Sequence, residues 1–501
     1  KKNHPPPPWW KEFLTRGFGM RGVVGVALAS FLLVIHGVDA THDVSYSRMP
    51  QKLAFGSCNK PWKNQFLWEQ IEAKEPDVFM WTGDAVYTNT SYIEDLWSAL
   101  NIQLENTLYS HFLSQTRCLV VGAIDDHDYG VNDAGRNVPN RKERIQAYNM
   151  FLHRSNKNQA FEIDPKIDDT DLERDGLYSS HTFTQGDNQV SVIILDTRSS
   201  RDPYPLALPF WLTKRKIRFF GKFFGTINTI LRVISASVSE IWNTKEGNTK
   251  DMLGEQQWQW LENHLKHSKA DFHILISSVQ MFTTNPFVES WGHFPASRHR
   301  LAQLLNTYNV TGSLVLSGDV HFAEHIGSEE NIVEITSSGM THHATNTYRA
   351  PFLSTAVKFV IHRFHKHRPY KNAFYNGINF GGISFDWNGR KECVSKGMLT
   401  QIYDEDGNTV LSSWTCSDRQ IDWMRLHENT TFGVWTALLI VLFTGCCALL
   451  CTRLLLGSIF TASARNRASA GDSGSSRRAA AAVASDKNGS SRSSSSKRHH
   501  A

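Results

Sequence analysis

The stretch VVGAIDDHDYGVNDAG, residues 120–135, constrains this chain most. An apolar run, 119–124, reads as a short buried strand and stops abruptly at Asp125, Asp126, His127, Asp128, Asn132 and Asp133. Acid at that density is not core. A strand that delivers carboxylates, an imidazole and an amide at its C-terminal end is how open α/β sheets build sites, because ligands bind beyond the strand ends.

Three other strand ends repeat the pattern. KLAFGSCNK sets Ser57 and Cys58 after the run 53–55, and DVFMWTGDAVY sets Asp84 and Tyr87 after 78–81. SLVLSGDVHFAE leads from 314–316 through Gly318 into Asp319 and His321. The glycines let the backbone turn sharply ahead of the polar groups. Thiolate, carboxylate, phenolate, amide and imidazole then converge on one rim of a sheet, which is the donor set of a metal site with more than one ion.

The series GSC, GDAVY, DDHDYGVNDAG, LDTRSSRDP, MLGEQQWQWLE and SGDVH, in this order over roughly residues 50–415, resembles the PhoD-type alkaline phosphatases and phosphodiesterases of the metallophosphoesterase superfamily. Each motif alone is weak, and six in the family's order are not. The resemblance implies an α/β fold, a layered β-sandwich flanked by helices, with the site at its upper edge. It implies Cys58, Asp84, Tyr87, Asn132, Asp319 and His321 as metal ligands, with Asp84 bridging two ions. His127 falls where the superfamily keeps an imidazole near the leaving-group oxygen, and Asp126 is either a ligand or the group orienting that imidazole. Arg198 and Arg201 fall in a stretch close to the site, as substrate contacts or as a surface ion pair. Trp291 and His293 are implied as substrate contacts, although Gly292 and Phe294 stand where family members often carry an acidic residue and a Tyr.

A thiolate with a phenolate favours an Fe(III)-like ion, and the hard oxygen donors suit Ca or Mn beside it; a pure Zn site fits this set less well. Two or more such ions imply a phosphoester hydrolase in which metal-bound hydroxide is the nucleophile and His127, when protonated, donates to the departing alkoxide. A domain that binds phosphate or lipid partners without catalysis is the alternative from another class. Retention of the whole donor set argues against it.

The rest of the chain predicts a membrane protein. Residues 1–40 read as a signal peptide or signal anchor, with basic residues ahead of the apolar run 23–35. The catalytic domain spans 45–417. Within it, 205–250 is a basic and apolar insertion, and 352–368 repeats that mixture, which suits an anionic membrane surface and a diester or lipid-linked phosphate, with soluble monoesters as the nearest alternative. Residues 432–452 have the length of one C-terminal transmembrane helix, and 453–501 read as a basic, disordered cytoplasmic tail. The positive-inside rule then gives a type I protein of the secretory pathway or cell surface, its catalytic domain lumenal or extracellular, where the sequons at Asn89, Asn309 and Asn429 would be glycosylated.

The net charge of +5 does not argue for nucleic acid, because the basic excess sits at the two ends and leaves the middle acidic. The same compartment permits a disulfide between Cys393 and Cys416, which flank the last hairpin. His342 and His343 are expected as a surface pair, with extra ligands or substrate contacts as the alternative.

Overall fold

The computed structural model describes residues 43–88, 91–161, 176–204, 206, 231–235, 250–328, 331–346, 351–363 and 367–429. The expected leader 1–40, most of the insertion 205–250, the expected span 432–452 and the tail 453–501 lie outside the described residues.

Strands β2 (Lys52–Gly56), β3 (Val78–Trp81) and β4 (Leu119–Gly122) are near-continuous apolar runs, the pattern of parallel strands covered on both faces. They pair in parallel with Gly56 opposite Trp81 and Trp81 opposite Gly122, so their C-terminal ends fall level. Antiparallel strands β12 (Phe380–Asp386), β13 (Gly397–Tyr403) and β14 (Thr409–Cys416) extend this sheet beyond β2 to six strands. The second sheet has eight, in the order β1-β5-β6-β7-β8-β10-β9-β11. Its centre is parallel: β6 (Asn188–Ile194), β7 (Phe272–Ser277), β8 (Ser313–Ser317) and β10 (Ile332–Ser337). The edges are β1 (Asp43–Tyr46) with β5 (Ser179–Gln185), and β9 (Ala323–Gly327) with β11 (Phe374–Tyr375).

Strand periodicity sorts the side chains into layers. Leu53, Phe55, Val78, Met80, Leu119 and Val121 meet Val192, Ile194, Ile274, Ile276, Leu314 and Leu316 between the sheets. The alternate residues Ala54, Phe79, Trp81 and Val120 face outward onto helices Leu67–Glu72, Ile93–Leu104, Thr107–Thr116 and Arg141–Ser155. Ile193, Leu275 and Val315 do the same on the other side, against helices Glu255–His267, Pro295–Thr307 and Trp423–Asn429. The result is helix, sheet, sheet, helix.

Three sequence expectations change in detail or in kind. The helical spacing of Ile93, Leu96, Trp97, Leu100 and Leu104 predicts one helix over 92–112, and the chain forms two there, because Asn106 starts the second: its side chain accepts hydrogen bonds from the backbone N–H groups of Leu108 and Tyr109 at 3.1 Å each. His342 is 1% exposed and is not a surface residue. The transmembrane expectation is also corrected. Among the described residues no helix is long and apolar enough to cross a membrane. The 15-residue helix Arg141–Ser155 rises only about 22 Å, against a hydrocarbon core of roughly 30 Å, and its buried side is spent on the sheet. The described residues therefore form a mixed α/β sandwich with no spanning helix among them, and the transmembrane and type I expectations are withdrawn on that finding. The expected disulfide, Cys393–Cys416, is formed.

Candidate metal centre

The parallel strands of both sheets end at one rim, and the chemistry-bearing residues follow directly: Cys58 after β2, Asp84 after β3, Asp125 to His127 after β4, Arg198 after β6, Ser278 after β7, Asp319 and His321 after β8, and Ser338 after β10. Glycines allow the ends to crowd. A Cβ on Gly318 would lie 2.4 Å from the Thr82 carbonyl oxygen and 2.6 Å from Ser57 Oγ. Gly83, at φ +98°, leaves no room for one beside Asp125 Cβ at 2.7 Å. Cys58, Asp84, Asp319 and His321 all take φ between 52° and 68°, a region that non-glycine residues rarely occupy.

Asp84 is the hub. Its Oδ2 accepts from Tyr87 Oη at 2.6 Å and lies 3.4 Å from Cys58 Sγ, while Oδ1 accepts from the His127 backbone N–H at 3.3 Å. Tyr87 Oη is also 3.1 Å from His321 Nε2, and the His321 N–H donates to Ser338 Oγ at 2.8 Å. One side of Asp84 thus gathers Cys58 and His321; the other gathers Asp126 with His127, and Asp125, Asp126 and Asp319, with candidate ligand atoms within 4.8 Å of one another in each group. Asp84 belongs to each of these three groups.

The electrostatics show what the site lacks. Burial pushes the Asp84 carboxyl well above the usual range, and Asp125, Asp126, Asp128 and Asp319 add to that push. Asp319 is raised likewise by burial and by its acidic neighbours, and burial together with Asp84 raises Cys58. Burial lowers His321 to about 3 and also lowers His127, against which Asp126 acts. Neutral imidazoles beside crowded carboxylates, of which Asp125 has Arg198 for counter-charge, are the donor chemistry that holds cations. Two buried oxygens here, Asp125 Oδ2 and Asp126 Oδ1, have no hydrogen-bond partner among the described residues. Thiol, phenol, imidazole and carboxylate donors fit two or more ions, with the softer donors Cys58, Tyr87 and His321 on one side of Asp84 and only oxygens and His127 on the other.

The other nominated residues sort differently. Asn132 lies exposed in the turn after β4 and joins none of these contacts. Arg198 is fully buried and bound to Asp125 at 2.5 Å and Glu289 at 2.8 Å; Arg201 reaches the same Glu289 at 2.8 Å. These are buried ion pairs and not surface ones. Trp291 belongs to the outer core of the second sheet, where Nε1 donates to Ser277 Oγ at 3.0 Å, and His293 is buried beside the Tyr204 ring at 5.3 Å. Sequence reading missed three partners and took a fourth, His342, for a surface residue. Glu289, 2% exposed, gathers Arg198, Arg201 and the Tyr204 hydroxyl; Arg232 pairs with Asp133 at 2.9 Å; Ser278 donates to Asp125 at 2.7 Å; and His342 Nε2 stands 3.2 Å from His321 Nε2. Only ESW, an acid inside an otherwise apolar and aromatic stretch, signalled any of them.

The chain is similar in sequence to known proteins. Residues 53–380 match the model of the PhoD-like phosphatase family. Alkaline phosphatase D of Bacillus subtilis is 32% identical over 80 residues, 14% of this chain and 14% of that protein's length. A solved structure of PhoD aligns with 80% of this chain and 79% of its own at 15% identity and a TM-score of 0.43. A dimetal phosphatase from Danio rerio aligns with 73% of this chain and 99% of its own at 11% identity and a TM-score of 0.38. The family match covers well over half of the chain and takes in every candidate ligand named above: the chain belongs to the PhoD-like phosphatase family.

Proposed function

We propose that this chain is a metal-dependent phosphoester hydrolase whose ions are held by Cys58, Asp84, Tyr87, His321, Asp319, Asp125 and Asp126. The observation that carries the reading is Asp84, a single buried carboxylate shared by three groups of potential metal-ligating side chains at a rim where strands of both sheets end. When bound, the ions supply an activated water as nucleophile and neutralise charge on the phosphoryl oxygens.

The chain's own residues do the placing. The Asp84 carboxylate is oriented by the Tyr87 hydroxyl and the His127 N–H, so each of its oxygens is aimed before an ion arrives. Asp126 Oδ2 accepts from the Asp133 N–H at 2.6 Å, which leaves Oδ1 for the site. Arg198 neutralises Asp125 from behind and fixes its direction. The His127 ring lies 4.0 Å from the Tyr87 ring and is partly exposed, so it is placed to meet the leaving group from the open side of the site. No side-chain nucleophile is needed.

Asp84→Asn tests the reading. The variant keeps the shape and loses the shared charge. Metal bound per chain, read by mass spectrometry, is expected to drop by at least one ion, and hydrolysis of chromogenic phosphoesters by at least a hundredfold; full metal content with full turnover would refute the assignment. A narrower reading, in which the ester is linked to a lipid, rests on helix Pro351–Arg363, which exposes Phe359 to 63% beside the exposed Lys358. Phe359→Asp should then lower turnover of a vesicle-borne ester about tenfold and leave a soluble ester unchanged; equal rates on both would dispose of it.

A further inference from the structure

The cations that sequence reading put forward for the substrate are already engaged. Arg198 is held by Asp125 and Glu289 and Arg201 by Glu289; Arg232, which sequence reading did not put forward, is held likewise by Asp133. A guanidinium with carboxylates on it in a buried site has little positive field left for a phosphate. One other cation stands beside the candidate ligands. Lys60, two residues after Cys58, puts its Nζ over the Tyr87 ring, 4.9 Å from the centroid. Its side chain is half-buried, and among the described residues it has no carboxylate at ion-pair distance.

Lys60 is also held in place. Its backbone N–H donates to Thr341 Oγ1 at 2.8 Å, and that hydroxyl donates to the Cys58 carbonyl oxygen at 3.2 Å. Lys63, one turn further along, donates its Nζ to the Thr341 carbonyl oxygen at 3.1 Å, so the loop after β2 is fastened to the segment after β10 at both ends. The ring that carries Lys60 is the one whose hydroxyl bonds Asp84 and whose neighbour at 4.0 Å is His127. An ammonium with no acid partner, lodged on the rim of a site that collects anions, has one class of ligand to satisfy it.

Resting on the metal-dependent phosphoesterase reading, we infer that Lys60 binds a non-esterified oxygen of the substrate phosphate and makes the site favour the dianion of a monoester over the monoanion of a diester. A flexible ammonium acts here as a point charge, so its contribution follows ligand charge: the dianion gains most and a diester, which carries one charge fewer on the same group, gains less.

The test compares the metal-loaded protein with Lys60→Met and Lys60→Arg. An aryl phosphate monoester and the methyl diester of the same aryl phosphate serve as substrates, and binding of inorganic phosphate is followed by calorimetry. With metal content unchanged, Lys60→Met should lose about ten- to a hundredfold in kcat/KM on the monoester and less than threefold on the diester, and Lys60→Arg should recover most of the loss. Phosphate affinity should fall at least tenfold in Lys60→Met. Equal losses on both esters, no loss on either, or unchanged phosphate affinity would overturn the role of Lys60. Absence of turnover in the unaltered protein would overturn the hydrolase reading instead, and phosphate affinity would still decide Lys60.

Discussion

Glu289 shows how much of a site can lie behind the residues that face a ligand. It is 2% exposed and takes Arg198 and Arg201 at 2.8 Å each and the Tyr204 hydroxyl at 2.6 Å. Despite burial, which raises a carboxyl, these arginines and Arg232 hold it well below the usual carboxylate range. The charge balance passes forward through Arg198, which neutralises Asp125. Glu289→Gln keeps the volume and removes the charge, so it leaves two buried guanidiniums short of a counter-ion. Breaking such a buried pair costs about 3–5 kcal/mol, and the denaturant midpoint should fall accordingly with an unchanged slope. A loss below about 1 kcal/mol would mean that Arg198 and Arg201 find compensation elsewhere. Asp125 should then carry Arg198 unopposed, and metal affinity should change as well.

At the scale of elements, the rim was legible because each of its strands is a short apolar run ended by a glycine or a polar cluster, and that pattern is local. Cys58, Asp84, Tyr87, Asp126, His127, Asp319 and His321 all follow such runs, and the structure brings them together. Asn132 carries the same signature, yet it sits exposed in its turn, because a turn residue's direction depends on φ values that spacing does not record. Glu289 and Arg232 were illegible for another reason. Their partners lie 91 and 99 residues away in the chain, and the pairing exists only once two layers close over each other. His342 reads as polar beside polar and becomes buried because the segment after β10 folds back over β2, where the Met340 N–H donates to the Ser57 carbonyl oxygen at 3.1 Å.

The last hairpin makes an element-scale prediction. Strands β13 and β14 extend the first sheet away from the rim, and Cys393–Cys416 closes their open end across a sequence separation of 23. In the chain-entropy account a loop of that length is worth about 3 kcal/mol. Cys393→Ser combined with Cys416→Ser should therefore lower unfolding stability by about that much in denaturant titrations, with metal content and turnover retained, since neither cysteine approaches the rim. Loss of metal from the double variant would show instead that the hairpin transmits to the site through β12 and β2.

For the whole molecule, acid sensitivity should come from imidazoles far from the rim as well as from the rim itself. His273, in β7, is 5% exposed, with Nε2 2.8 Å from Ser268 Oγ and Nδ1 3.2 Å from the Thr311 carbonyl oxygen; burial first lowers it, to about 4, with His264 lowering it further and Asp271 raising it. His325, in β9, is fully buried, has Nδ1 3.0 Å from the Tyr370 hydroxyl, and is lowered to about 4 by burial alone. Both groups are neutral in the fold and titrate near 6.5 when unfolded, so the unfolded chain binds more protons between those two values. Their contribution is complete above pH 6.5 and is lost progressively as pH falls toward 4, on the order of 3 kcal/mol for each group. Chelated protein, measured so that metal release does not enter, should lose stability steeply over that window. His325→Phe removes one proton from the balance, keeps an aromatic ring in the cavity and gives up the Tyr370 hydrogen bond. Its stability at pH 7 should be slightly lower than that of the unaltered chain, while its slope between pH 6 and 4.5 should be shallower by up to about 1.4 kcal/mol per pH unit. A parallel slope would mean that His325 already ionises in the fold, and that water reaches it beside Tyr370.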